Sequence, residues 1–239
     1  MANGQLLIKK LIDNSLSFWH TMDFSEQTFG KSFGRECTPA FKRSVHGGSL
    51  SRKEAIMASA TRLFAEKGFV GTSTVEIAEA AGVAHGTLFY HFKNKQGIIY
   101  EIFEKAGRQY LAELNTAVGG QACGIKKIDA IIGFHDDYSR RNQQQLLIFF
   151  RDFPGPLNSD SPLRDLIQSV HEEVIGLIGN CLQAGLADGT VDTDDIEKTA
   201  CLINSMIFGV THMNLMGPVP MPALTENAKA FCRRALAPG

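Results

Sequence analysis

The sequence predicts an all-α protein, with three short helices near its front and a larger helical unit behind them. Three observations carry this reading. From Ser51 onward, apolar residues recur at helical spacing. Capping residues and glycines interrupt the pattern at short intervals. No segment shows the strict alternation of a half-buried strand.

Each element follows from local signals. Ser51 is a candidate N-cap, with Glu54 three residues on completing a capping box. Ile56, Ala60, Leu63 and Phe64 then share one face, and Gly68 ends the helix. A second helix begins at 72-TST-74, whose hydroxyls can cap it. It runs through Val75, Ile77, Ala78 and Ala81 to a break at Gly82, with Val75 and Ile77 read as core. A third helix spans about 84–92, with Leu88 and Phe92 facing inward. Asn94 can cap a long fourth helix marked by Ile98, Ile99, Ile102, Phe103, Ala106, Tyr110 and Leu114.

Further helices are predicted over 125–138, 142–152, 162–187, 193–216 and 222–236, punctuated by Pro154, Pro156, Pro162, Gly185, Gly189, Gly217, Pro218 and Pro222. The apolar runs 146-LLIFF-150 and 201-CLINSMIFGV-210 fit a buried helix or a buried strand by periodicity, and their helical neighbours favour helix. Residues 1–49 are read as an N-terminal extension, poorly ordered apart from one short helix over about 5–19, with a partner-binding arm as the alternative.

Over 50–93 the three helices are joined by very short connections. Ala81-Gly82-Val83 links the middle pair, with glycine where the turn needs a left-handed residue. This is the arrangement of a helix-turn-helix, in which one helix props a second in the DNA major groove. Charge supports a division of labour. Residues 50–97 carry six basic against four acidic groups, a net +2, whereas 98–239 carry twelve against seventeen, a net −5.

The stretch 62-RLFAEKGFVGTSTVEIAEAAGVAHGTLFYHFKNKQGI-98 resembles the DNA-binding domain of TetR-family transcriptional regulators. The matching elements are Leu63-Phe64 before Lys67-Gly68-Phe69, then Thr72-Ser73, Ile77-Ala78, Ala81-Gly82-Val83, and Gly86-Thr87-Leu88 leading to His91-Phe92 and Lys95. The match covers about 50 residues; the remainder resembles the family only in helix number and length. It implies a TetR-type DNA-binding domain over 50–110, with the helix-turn-helix at about 73–92, and a ligand-binding and dimerisation domain over 111–239. It also implies a homodimer on a palindromic double-stranded DNA operator, most often a repressor, released when a small-molecule effector binds behind.

On that reading His85, Gly86 and Thr87 occupy the first turn of the recognition helix, which meets base edges. Gly86 lets the backbone approach closely, and Thr87 offers a hydroxyl and a methyl group. Tyr90 and His91 pass the phosphates. Lys95, at the next helix N-terminus, and Thr72 and Thr74, at the start of the second helix, are further expected phosphate contacts. Many relatives carry tyrosine at the slot of Phe89, whose hydroxyl contacts phosphate. Phenylalanine lacks it, and Tyr90 is the candidate substitute.

The C-terminal helices hold many rings, sulfurs and small polar groups. Phe134, Tyr138, Phe149, Phe150, Phe153, His171, Met206 and His212 are expected to line a roomy apolar cavity with a few polar anchors, suited to an apolar or aromatic effector. The predicted helices 193–216 and 222–236 are expected to pair with their symmetry mates in a four-helix interface.

Other functions are disfavoured. 171-HEEVI-175 begins like a zinc-protease motif, but Ile175 stands where the second histidine should be. 135-HDD-137 has no second His/Asp group at a convincing spacing. Cys37, Cys123, Cys181, Cys201 and Cys232 are scattered and odd in number, which reads as reduced thiols in a cytoplasmic protein rather than a disulfide or zinc framework. No apolar run is long enough for a membrane helix, and the N-terminus is not read as a secretory signal. The sequence therefore predicts neither an enzyme nor a bound cofactor or metal. The rival reading is a small-molecule binding protein of the same fold that has lost operator binding, for which the net charge of −1 speaks.

Overall fold

The structure is a computed structural model, and it describes residues 51–152, 161–217 and 221–239. The N-terminal extension and Phe153 lie outside the described residues. Among those described there are helices and no strand: α1 (Arg52–Lys67), α2 (Thr74–Ala80), α3 (His85–Phe92), α4 (Lys95–Gly119), α5 (Gly124–Arg141), α6 (Gln143–Asp152), α7 (Pro162–Asp188), α8 (Ile196–Met216) and α9 (Leu224–Ala235). These helices belong to one compact unit. No described helix is long and apolar enough to cross a membrane.

Caps set the boundaries. The side chains of Asn94, Ser161 and Asp195 accept from the backbone N–H groups of Gly97, Arg164 and Lys198, starting α4, α7 and α8. Gly82 takes φ +65° at the turn between α2 and α3, as the sequence required. Helices α5 and α7 meet at two glycines. A Cβ on Gly124 would lie 2.1 Å from the Cα of Gly185, so no larger residue fits that crossing.

Two apolar cores form. The front core joins Ile56, Phe64, Ile77, Leu88, Phe92, Ile98 and Ile102, and takes in Ile148 from α6 and Leu163 from α7. The rear core joins Leu114, Ile128, Ile131, Ile178, Leu182, Ile203, Ile207 and Cys232. Helices α4 and α7 each contribute to both, so they are common to front and back. Burying each large aliphatic side chain stabilises the fold by about 1.5–3 kcal/mol. Val75 departs from expectation: it is 49% exposed. Ile77 and Ala78 supply the buried face of α2, and Val75 falls on the opposite side of the helix.

Candidate nucleic-acid interface and effector site

The seven residues of α2 are held in place by their cap. Ser73 Oγ accepts from the Glu76 N–H at 3.2 Å, and the Glu76 carboxylate accepts from the Ser73 N–H at 2.9 Å. Lys67 Nζ lies 2.6 Å from the same carboxylate. The lysine, and then the serine, hold the Glu76 carboxyl down at about 2. Of the three hydroxyls in 72-TST-74, the middle one makes the cap.

The other two have different partners. Thr72 is buried, and its hydroxyl lies 2.8 Å from the Gly68 carbonyl and 3.2 Å from that of Leu63. Its single proton is engaged by the end of α1, which gives the hydroxyl a structural role there. Thr74 Oγ1 lies 3.1 Å from His85 Nε2, joining the start of α2 to the start of α3.

Lys95 also has backbone partners. Its ammonium donates to the carbonyls of Phe69 at 2.7 Å, Thr72 at 2.9 Å and Val70 at 3.4 Å, and sits 4.5 Å from the Phe69 ring centroid. Three N–H donors meet three carbonyls. Sequence spacing placed the lysine at a helix N-terminus, but its four-carbon stem carries the charge back over the α1–α2 loop.

The remaining predicted residues form an open surface. His85 and Gly86 are exposed, Thr87 and His91 are half-buried, and Tyr90 is 85% exposed. Leu88 and Phe92 are buried and fasten α3 to its neighbours. The Phe89 ring is 41% exposed and receives the His85 ring at 4.7 Å, nearly edge-on at 84°. A Cβ added to Gly86 would meet no protein atom within 4 Å, so packing within the chain does not require glycine there.

Sequence reasoning missed Arg151. Its guanidinium donates to the Ala65 carbonyl at 2.9 Å and to the Phe64 carbonyl, and lies 3.1 Å from Asp152. It caps α1 from the end of α6, a cation on the negative end of a helix. An arginine 86 residues from its partner leaves no local signal.

Of the eight residues expected in one effector cavity, the seven that are described separate. Phe134 and Tyr138 cluster with Tyr110 and His135 between α4 and α5. There Tyr110 Oη lies 2.5 Å from His135 Nε2, and His135 Nδ1 lies 2.7 Å from the Ile131 carbonyl. The carbonyl requires Nδ1–H, so Nε2 accepts from the tyrosine hydroxyl. Burial pushes the His135 pKa down to about 4 and that of Tyr110 upward. Phe149 and Phe150 pack instead on Phe208 of α8, at 5.6 and 5.0 Å between ring centroids. Phe150 also meets His212 at 5.2 Å, and Phe149 meets Phe103 of α4 at 6.3 Å. Met206 packs against the rear core, and His171 is half-buried on α7 with its pKa lowered by burial. A cavity of about 630 Å³ is lined by Phe69, Tyr100 and Leu163 among others, and by none of those seven.

A capped helix-turn-helix with an exposed recognition face, joined through α4 to a helical bundle, defines a helix-turn-helix DNA-binding regulator. Residues 56–102 match the model of the bacterial regulatory proteins of the tetR family. The match covers the segment on which the sequence resemblance rests. It is 24% identical over 144 residues to the HTH-type transcriptional repressor KstR2 of Mycolicibacterium smegmatis, covering 60% of this chain and 69% of the relative. It is 24% identical over 155 residues to the fatty acid metabolism regulator protein of Bacillus subtilis, covering 64% and 76%. The fold is similar to that of the transcriptional regulator FadR from Bacillus subtilis in complex with stearoyl-CoA. That comparison has a TM-score of 0.66 and 20% identity, over 76% of this chain and 98% of the other.

Proposed function

We propose that the protein is a cytoplasmic, non-enzymatic repressor that binds a palindromic operator as a homodimer and leaves it when a small apolar or aromatic effector binds. The observation that carries this is the exposed turn His85-Gly86-Thr87, followed by Tyr90 and His91, on a helix anchored by Leu88 and Phe92. Gly86 has no packing reason within the chain, which suits close approach to DNA. Tyr90 supplies the phosphate hydroxyl that Phe89 lacks. The exposed Lys93, two residues before Lys95, supplies the cation.

Residues 50–110 form the DNA-binding domain and 111–239 the effector and dimerisation domain. Leu202 on α8 is 71% exposed and Phe231 on α9 is 60% exposed, which favours a partner subunit covering both helices. The ring cluster of Phe103, Phe149, Phe150, Phe208 and His212 touches α4, α6 and α8, and is the place where an apolar effector displaces rings and moves α4. The stearoyl-CoA bound by FadR, a relative in fold, suits an effector with an apolar tail. A coupling of about 1–3 kcal/mol is enough for such a switch.

A mobility-shift assay against the DNA flanking its own gene tests the reading. A specific, salt-sensitive complex supports it. No complex at any salt concentration leaves the rival, a binding protein of the same fold without an operator. Native mass spectrometry of protein from its host tests for the effector.

A further inference from the structure

We propose that His85 sets the operator sequence preference of this protein, and that Thr74 and Phe89 are positioning residues that fix its imidazole. The proposal rests on the operator-binding reading above and assigns the reading group within it. A histidine at the first residue of a recognition helix ordinarily turns freely about two side-chain bonds, and ordering it on DNA costs entropy. Here two contacts order it beforehand. Thr74 Oγ1 lies 3.1 Å from Nε2, and the Phe89 ring, one turn along α3, meets the imidazole edge-on at 4.7 Å. One restraint comes from each helix of the motif. Together they give a role to Thr74, which does not cap α2, and to Phe89, which is left 41% exposed.

The contact defines the chemistry. Thr74 opens α2, so no helical carbonyl lies one turn behind it to take its proton. The contact occupies Nε2 and leaves Nδ1 as the ring nitrogen not bonded to Thr74. With Thr74 as the donor, Nδ1 carries an N–H whose major-groove partners are the acceptors purine N7, guanine O6 and thymine O4. Phe89 acts as a shelf for the ring, a use of the aromatic slot that needs no hydroxyl. Phe89→Tyr should preserve it, whereas Phe89→Leu removes the ring.

The test is selection of binding sites from random duplex DNA with the full chain and with His85→Ala, Thr74→Val, Phe89→Leu and Phe89→Tyr, each checked by thermal melting. These side chains are at the surface or near it, so the fold is expected to survive. His85→Ala should erase the preference at one position of each half-site, reducing discrimination there about tenfold. Thr74→Val and Phe89→Leu should relax that same position about threefold and leave the others intact, and Phe89→Tyr should keep it. An unchanged motif in His85→Ala, or uniform weakening at every position in Thr74→Val and Phe89→Leu, overturns the proposal. If the unaltered protein selects no motif at all, operator binding itself fails, a result distinct from the loss of this assignment.

Discussion

The ammonium of Lys95 lies 2.7 Å from the carbonyl of Phe69 and 4.5 Å from the centroid of its ring. One side chain from the start of α4 thus holds the loop between α1 and α2, which fixes where α2 begins. Thr72 and Arg151 close the same region by engaging the carbonyls of Leu63, Gly68, Phe64 and Ala65. The end of α1 and the loop after it are tied by three side chains from three parts of the chain.

Lys95→Met should therefore lower stability, by about 1–3 kcal/mol for lost charge-assisted hydrogen bonds, while the slope of log affinity against log salt stays constant. Lys93→Met should do the reverse, retaining the melting temperature and flattening the slope by about one unit. Denaturant melts and salt titrations of operator binding separate the two. A flattened slope in Lys95→Met would return that lysine to the phosphate contacts.

Arg151→Ala should uncap α1 and cost about 1–2 kcal/mol. Because α6 also carries Phe149 and Phe150, the variant should respond less to effector at equal DNA affinity. Operator release measured against effector concentration checks this; an unaltered response would leave Arg151 a purely local cap.

Stability should fall in mild acid through His135. Burial lowers its pKa from 6.5 to about 4, so the unfolded chain binds a proton more readily than the folded one. The contribution of the neutral ring is complete above pH 6.5 and is lost as the pH falls toward 4, a change on the order of 2 kcal/mol. Tyr110→Phe removes the donor to Nε2 and should cost about 1–3 kcal/mol at neutral pH. Chemical denaturation at pH 7 and pH 4.5, with His135→Gln as the reference lacking an imidazole, measures both.

Leu202→Arg combined with Phe231→Glu should shift the protein toward monomer in sedimentation velocity and weaken operator binding, while α-helical circular dichroism is retained. A double variant that stays dimeric would place the interface elsewhere.

Helix positions were readable in the sequence because they depend on neighbours. Asn94 capping α4 and Gly82 turning the chain between α2 and α3 each act within a few residues. The expected helix over 125–138 is observed as Gly124–Arg141, and that over 162–187 as Pro162–Asp188. The inward pair Leu88 and Phe92 and the open face at Tyr90 followed from the helical period in the same way.

Partners distant along the chain were not readable. Lys95 and Thr72 have the residue types of phosphate ligands, but folding places carbonyls beside them first. The ring-rich residues of the rear helices divide into two clusters because α5 and α6 face different neighbours, which composition does not encode. The sequence by itself determined the helices and the resemblance over 62–98. Only tertiary structure decided which polar groups stay open to DNA, because a donor satisfied by a backbone carbonyl inside the fold is no longer available to a ligand outside it.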